Sequence, residues 1–488
     1  MLPFAFVASA GAAPAEKSRA DAGATLASNR IAARIADIPG TPLPASGFGD
    51  SIVGSTDVSI ENEVYSFALA DNQVLKASIV TSDPVNDYIA ISGWDQSATT
   101  IEDWETDWPI AFAEGPWSPA MQIYIPAETG AGTYYLGIEN LSDMDVAYTV
   151  TYEIVTKAPA TTLRVTGNDR FAVAANAAKQ AWPGWAGVTD VIIASGEDRA
   201  AADPLCAAGM AGAMNAPVLL VKSTLTSGKL PTATESALQG IRNANGGKVK
   251  IHVIGGTVSV PAAVYNRASA LKGTGGTIER ISAADRYSLS AVMAVRANTE
   301  AVKRGKSVPF VMIANGENVN AFYDALAASP VSFYQIAPTM LAKTTSVPST
   351  VRNARNTTFG TKDCWLISSP SYLSSAVFTQ ANADARIVGS GTNRIDSAFD
   401  IATWAYDFNL LKRDKVAVAN KLPDALTGGV AMGKMGGPVL YSGAAELGMP
   451  TDLFLYWNKG GYTRAYALGG TVSLSNVVTT MMNEMLAY

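Results

Sequence analysis

Histidine and cysteine are nearly absent from this chain. Among 488 residues there is one histidine, His252, and two cysteines, Cys206 and Cys364. A single His argues against His-based metal centres and against Ser-His-Asp chemistry anywhere in the chain. It lies inside the strand-like run VKIHVIGG, where a structural role is expected. Each cysteine falls in an apolar run of a different segment, so both read as buried thiols and not as a bridge. No apolar run after the N-terminus is long enough for a membrane-spanning helix, so no membrane insertion is expected. The C-terminal MMNEMLAY is neither a membrane tail nor a sorting signal. LPFAFVASAGAA (2–13) is a short apolar run ending in small residues. Ala8-Ser9-Ala10 and Ala10-Gly11-Ala12 both fit a signal cleavage site, although the basic leader is missing. Residues 1–15 are therefore expected to be the tail of a secretory signal.

Apolar content of 48% and charged content of 16% are those of a globular protein. The charge is unevenly placed. Residues 1–157 hold 6 Lys and Arg against 21 Asp and Glu, whereas residues 158–488 hold 30 against 21. A basic C-terminal two-thirds suggests an anionic partner there; ordinary surface solvation is the alternative.

That basic part is built from one pattern used three times. RVTGNDR (164–170), RISAADRY (280–287) and RIVGSGTNR (386–394) each open an apolar-periodic run. Their spacing is too long for a solenoid repeat and suits a small α/β unit. After the first motif come an Ala-rich helix, the strand VTDVIIASG, the small-residue helix ADPLCAAGMAGAM and the strand APVLLVKS. A Pro-Thr-opened helix, the strand VKIHVIGG and a last helix follow. Such alternation with continuous apolar strands predicts a parallel sheet covered on both faces. The second and third copies follow suit.

Residues 51–156 change to period two. VYSFALA, VLKASIV, DYIAISG, MQIYIPA, TYYLGIEN and YTVTYEIV are separated by polar turns, which predicts a β-sandwich. Residues 16–50 form a separate N-terminal segment, with a possible helix at 20–37 and a loop at 39–50. The order of the runs, with GTYYLGI and YTVTYEI at its end, resembles bacterial pre-peptidase C-terminal domains, which are jelly-roll-like accessory modules. The sandwich is rich in acids: Asp83, Asp87, Asp95, Glu102, Asp103, Glu105 and Asp107. They could hold Ca²⁺, although no EF-hand spacing is present and solvated loop charge is the plainer reading. Trp94, Trp104, Trp108 and Trp117 are core residues or a sugar platform. Residues 157–162 read as a linker.

RxxGxDR[FY], a strand ending near Ala-Ser-Gly, DALAA, AP-LL and a strand ending in Gly-Gly together resemble the cell wall-binding repeat 2 family. The three copies span 163–278, 279–385 and 386–488. The resemblance implies a secreted Gram-positive surface protein with three units packed around a pseudo-threefold axis as an intrachain trimer. It also implies noncovalent attachment to an anionic wall polysaccharide. No cofactor and no nucleic-acid partner are expected. The copies depart from the pattern in places. The first has ADPL for DALA, and the second has Ala283 at the Gly167 position and Ser368-Ser369 for Gly-Gly. The third lacks the Asp-Arg pair before its helix.

The expected polymer-binding residues are the arginine pairs Arg164/Arg170, Arg280/Arg286 and Arg386/Arg394, since a guanidinium fork suits carboxylate or phosphate. The competing expectation is internal ion pairing, of Arg170 with Asp203 and Arg286 with Asp324. Asp203, Asp324 and Asp424 each follow a strand and open a helix. They could contact ligand or cap the helix. No second acid or His recurs beside them, so no catalytic residues are assigned. The Gly-Gly turns at 254–258 and 468–472 could hold a phosphate, with close backbone packing as the plainer reading. GxxxxGK at 428–434 has Met435 where a nucleotide loop needs Ser or Thr, and is rejected. A wall hydrolase and a carbohydrate- or host-protein-binding adhesin remain alternative functions.

Overall fold

A computed structural model describes residues 62–83, 87–98, 109–115, 121–142, 145–389 and 393–488, with short strands at Val7–Ala8, Thr41–Pro42 and Phe48–Ile52. The rest of the signal-like segment, the 20–37 helix, Trp104, Trp108, Trp117 and the acids at 102–107 lie outside the described residues.

The period-two runs fold into two antiparallel sheets. Their strands are β1 (Asn62–Leu69), β2 (Gln73–Thr81), β3 (Ile89–Trp94), β4 (Ala111–Gly115), β5 (Met121–Pro126), β6 (Gly132–Asn140) and β7 (Val146–Thr156). One sheet runs Phe48–Ile52, β7, β2, β5; the other runs β1, β6, β3, β4, with Thr41–Pro42 added to β1 in parallel. Alternate residues such as Val146, Tyr148 and Val150 point inward onto Leu75, Ile125 and Leu136. Trp94 is core, packed with Val64, Ala98 and Tyr135. Asp87 accepts from the Asp83 amide, and Asp95 from the amide and hydroxyl of Ser97, so these acids shape turns. No cluster of three His, Cys, Asp or Glu suited to a metal ion exists among the described residues.

The link to the basic part is shorter than its composition suggests, because Thr161 already opens β8 (Thr161–Val165). Unit one then comprises α1 (Arg170–Ala181), β9 (Asp190–Ser195), α2 (Ala207–Met214), β10 (Val218–Val221), α3 (Thr232–Ala244), β11 (Lys250–Ile254), α4 (Ala262–Leu271) and β12 (Thr277–Ile281). Unit two has α5 (Arg286–Lys303), β13 (Phe310–Asn315), α6 (Phe322–Ala327), α7 (Ser329–Tyr334) and β14 (Thr339–Ala342). It ends with α8 (Ser349–Thr357), β15 (Asp363–Leu366), α9 (Ser375–Ala381) and β16 (Ala385–Arg386). Unit three has α10 (Arg394–Asp407), β17 (Lys415–Ala419), α11 (Leu422–Met435), β18 (Val439–Tyr441), α12 (Met449–Asn458), β19 (Arg464–Leu468) and α13 (Asn476–Met485).

Each unit is a parallel sheet whose central strands are buried on both faces. The orders are β10-β9-β11-β12, β14-β13-β15-β16 and β18-β17-β19-β8. Val7–Ala8 adds to the second sheet as an antiparallel edge. The closing strand of every sheet thus carries the first arginine of the motif that follows it in the sequence. The third sheet is closed by the first motif: β8 pairs in parallel with β19.

Small residues bring the three equivalent helices α2, α7 and α11 together. A Cβ on Gly212 would lie 2.0 Å from the Phe333 carbonyl oxygen, and one on Gly433 would lie 2.6 Å from Phe333 Cβ. Backbone approach this close requires glycine. The sandwich is docked on unit three. The Phe112 and Trp457 rings are 5.2 Å apart, Lys157 Nζ donates to Gly460 O (2.5 Å), and Lys459 Nζ pairs with Glu128 (2.6 Å). Among the described residues, no helix is long and apolar enough to cross a membrane.

Candidate functional site

The recurrent arginines do two different jobs. The first of each pair sits on the closing strand and reaches across to the turn after the neighbouring strand. Arg280 donates to Gly255 O (2.7 Å), Gly256 O (3.1 Å) and Val260 O (2.7 Å). Arg164 does the same to Gly469 O (3.2 Å), Leu474 O (2.7 Å) and Ser475 O (3.1 Å). Arg386 donates to Ser368 O and to Leu373 O (2.6 Å). Their donors go to carbonyls of the tight turns; Gly256 O also accepts from the Val260 amide (2.9 Å). Burial pulls Arg386 down to about 10, and Arg164 and Arg280 downward as well. The turns that could have held a phosphate therefore present their carbonyls to arginine.

The second arginine of each pair opens a helix whose N-cap is the residue before it. Asp169 accepts from the Ala172 amide, Asp285 from the Ser288 amide, and Asn393 from the Ile395 and Asp396 amides. Asn393 thus does the work of the aspartate that the third copy lacks. From these starts Arg170 donates to Gly196 O (2.7 Å) and pairs with Asp198 (2.6 Å). Arg286 donates to Gly316 O (3.0 Å), and Arg394 to Asn420 Oδ1 (2.6 Å) and Ser442 O (3.2 Å).

The ion pairs expected inside each repeat do not form. Apart from the Arg170–Asp198 pair, the arginines act across junctions: the charge of Arg286 favours ionised Asp203 of unit one, and that of Arg170 favours ionised Asp424 of unit three. Arg394 lies over the Tyr323 ring, 4.8 Å away, next to Asp324 of the preceding unit. The aspartates do not cap their helices either. Each turns toward the strand–turn of its own sheet. Asp203 accepts from Ser259, Asp424 from Ser473 (2.6 Å), and Asp324 from Ser368 and, across the junction, Ser397. Gly255 and Gly469, at φ +101° and +118°, leave the space these carboxylates use; a Cβ on either would lie 2.5 Å from the Asp oxygen.

Electrostatically the three junctions differ. Burial pushes the Asp203 and Asp424 carboxyls up, with Ser259 and Arg286 opposing at one and Ser473, Lys421 and Arg170 at the other. Asp324 is 1% exposed, has one oxygen without a hydrogen-bond partner, and is pushed up by burial to about 7. Sequence reading missed the serine partners, although T-V-S after both Gly-Gly pairs (257–259 and 471–473) was a visible signal.

Parts of the chain are similar to known proteins. The model of the cell wall binding domain 2 (CWB2) family matches residues 164–265 and 386–479. The matched CWB2 segments contain Arg164, Arg170, Asp203, Arg386, Arg394 and Asp424; Arg280, Arg286 and Asp324 lie outside them. In fold, the chain is similar to Cwp6 from Clostridium difficile (TM-score 0.55, 19% identity, 87% of this chain and 68% of that one). It is also similar to Cwp8 from the same organism (TM-score 0.55, 20% identity, 68% and 52%). It is 27% identical over 275 residues to the N-acetylmuramoyl-L-alanine amidase LytC of Bacillus subtilis (strain 168). That alignment takes in 56% of this chain and 48% of LytC, so the chain spans about half the length of this curated relative.

Proposed function

We propose that this is a secreted, non-catalytic surface protein held on the Gram-positive cell wall without a covalent bond. Its three α/β units bind an anionic wall polymer, and its sandwich, of the pre-peptidase C-terminal kind, is displayed as an accessory or adhesion module. The observation that carries this reading is the CWB2 match in two of the three units. The basic balance of residues 158–488 supports an anionic ligand. The meeting of α2, α7 and α11 supports a pseudo-threefold arrangement, with one ligand cleft at each junction between units. We place the polymer contacts on Arg170, Arg286 and Arg394, with Asp203, Asp324 and Asp424 orienting the clefts. Arg164, Arg280 and Arg386 brace the turns behind them.

The test is cosedimentation of the full chain with purified walls over a range of salt, before and after the anionic polymers are extracted. Binding that falls with salt and is lost on extraction supports the reading; salt-insensitive binding to extracted walls overturns it. The identity with LytC favours a second reading, a wall hydrolase. Release of soluble fragments from labelled peptidoglycan by the purified chain would establish that instead.

A further inference from the structure

One position in the fold is filled in two opposite ways. His252 stands on the middle strand β11, opposite Ile192 on β9 and Glu279 on β12. Its counterpart in unit two is Trp365 on β15, opposite Met312 and Ala385. The helices that cover these positions come from the next unit and also correspond. Arg296 and Glu300 follow Arg286 by the same intervals at which Trp404 and Phe408 follow Arg394.

Between units two and three the result is an aromatic cluster. Trp365 lies 5.5 Å from Trp404 and 5.4 Å from Phe408, and Phe310 lies 5.9 Å from Trp404. Between units one and two it is ionic. His252 Nδ1 is 2.7 Å from Glu279 and Nε2 is 2.8 Å from Asp190. Each ring nitrogen thus faces a carboxylate oxygen. From α5, Arg296 pairs with both oxygens of Glu279 (2.5 and 2.6 Å). Arg304 pairs with Glu300 and approaches Asp190 at 3.6 Å, and Lys303 pairs with Glu300 (2.9 Å). Lys250, at the start of β11, completes the charged groups facing the ring. The cluster opens onto a cavity of about 520 Å³, so solvent and salt reach it.

We propose that His252, Asp190, Glu279, Arg296, Glu300 and Arg304 form an electrostatic clasp that holds α5 of unit two against unit one and releases it in acid or high salt. The aromatic junction between units two and three has no such release.

The signs at the two junctions are opposite. Burial raises the Asp190 and Glu279 carboxyls. Hydrogen bonds from His252 to both, from Arg296 to Glu279 and from Thr189 to Asp190 outweigh it, and both end below the usual carboxylate range. Their contribution is complete above the ordinary carboxylate value and is lost as pH falls through the depressed one. At the other junction Asp324 and Asp400 are pushed up by burial to about 7, so acid strengthens that contact. Since α5 also presents Arg286, releasing it would disturb the cleft at Asp203. That consequence alone rests on the polymer reading.

Hydrogen exchange of the full chain, corrected for intrinsic rates, separates the junctions. Protection in the last two turns of α5 should fall by about fivefold or more between about pH 7 and about pH 3.5, and again on adding about 1 M salt at neutral pH. The equivalent turns of α10 should keep or gain protection in acid. Parallel loss in both helices, or an α5 unmoved by salt, overturns the clasp. Glu279→Gln should lower α5 protection at neutral pH and abolish its salt response, with α10 unchanged. If that variant loses α10 protection as well, Arg296→Gln carries the same readout, and an unaltered salt response in it overturns the clasp.

Discussion

Lys459, at the end of α12, places its ammonium 2.6 Å from Glu128 of the sandwich and 3.8 Å from the Tyr456 ring centroid. Lys459 is 1% exposed, and Glu128 also accepts from the Tyr456 hydroxyl at 3.2 Å. The sandwich is therefore fastened to unit three through a charge that water hardly reaches. Removing one member of a buried pair strands the other, at a cost of about 3–5 kcal/mol. Glu128→Ala should lower the unfolding free energy on that scale in denaturant titrations. Lys459→Met, which keeps the packing without the charge, should cost less than Lys459→Ala. Residues 158–488 expressed alone should fold and still bind walls, but melt below the full chain, because Trp457 and Tyr456 lose their cover.

The two sets of arginines should separate by phenotype. Arg386→Ala leaves two buried carbonyls without donors and should cost about 2–3 kcal/mol of stability, with wall affinity per folded molecule preserved. Arg170→Ala with Arg286→Ala should keep most of the melting temperature and lose wall binding by about two to four orders of magnitude, at about 1.5–3 kcal/mol per charge-assisted contact. Melting and cosedimentation curves on the same samples check both. A double variant that binds normally when folded would remove these residues from the site.

Acid titration of the fold should expose Asp324. Its carboxyl is neutral in the folded chain up to about 7 and ionises from its ordinary 3.8 upward once unfolded. The unfolded chain thus holds fewer protons over that interval, so stability falls as pH rises through it. Asp324→Asn keeps an acceptor for Ser368 and Ser397 and cannot ionise. Its melting temperature should exceed that of the native chain at about pH 8 and converge with it near about pH 4, the separation growing by at most roughly 1.4 kcal/mol per pH unit.

Gly212→Ala should break the contact between α2 and α7. The new methyl meets the Phe333 carbonyl, which is backbone and cannot swing away, so the helices must part. A loss of about 2–3 kcal/mol is expected. Thermal unfolding, compared with a control substitution on the exposed face of α3, measures it.

Much of this was legible in the residues. Continuous apolar runs such as DVIIAS and FVMIAN became doubly covered parallel strands, and the alternating runs before residue 156 became a sandwich. The recurrence of the arginines announced three units. What the sequence could not disclose was which unit each arginine serves. Local reading pairs Arg170 with Asp203, its nearest recurrent acid. In the structure it pairs with Asp198, and the recurrent acid that feels its charge is Asp424, because helices of one unit cover the strand ends of another. Of the serines that hold the aspartates, Ser259 and Ser473 stood in a repeated T-V-S, but one was hidden likewise. Ser397 reaches Asp324 only across a junction, and no spacing within a repeat records it.

The pairing of β8 with β19 fixes an order of events. Arg164 finds its carbonyl partner at Gly469, 305 positions later. The first strand of the basic part must therefore wait without a strand partner until the last unit has emerged and folded. Contacts this distant in sequence form late and slowly. Until then β8 and the open edge of β19 are complementary surfaces on one molecule, and a second chain at the same stage could supply either. During synthesis, the step most exposed to competition between chains is the closing of that final sheet.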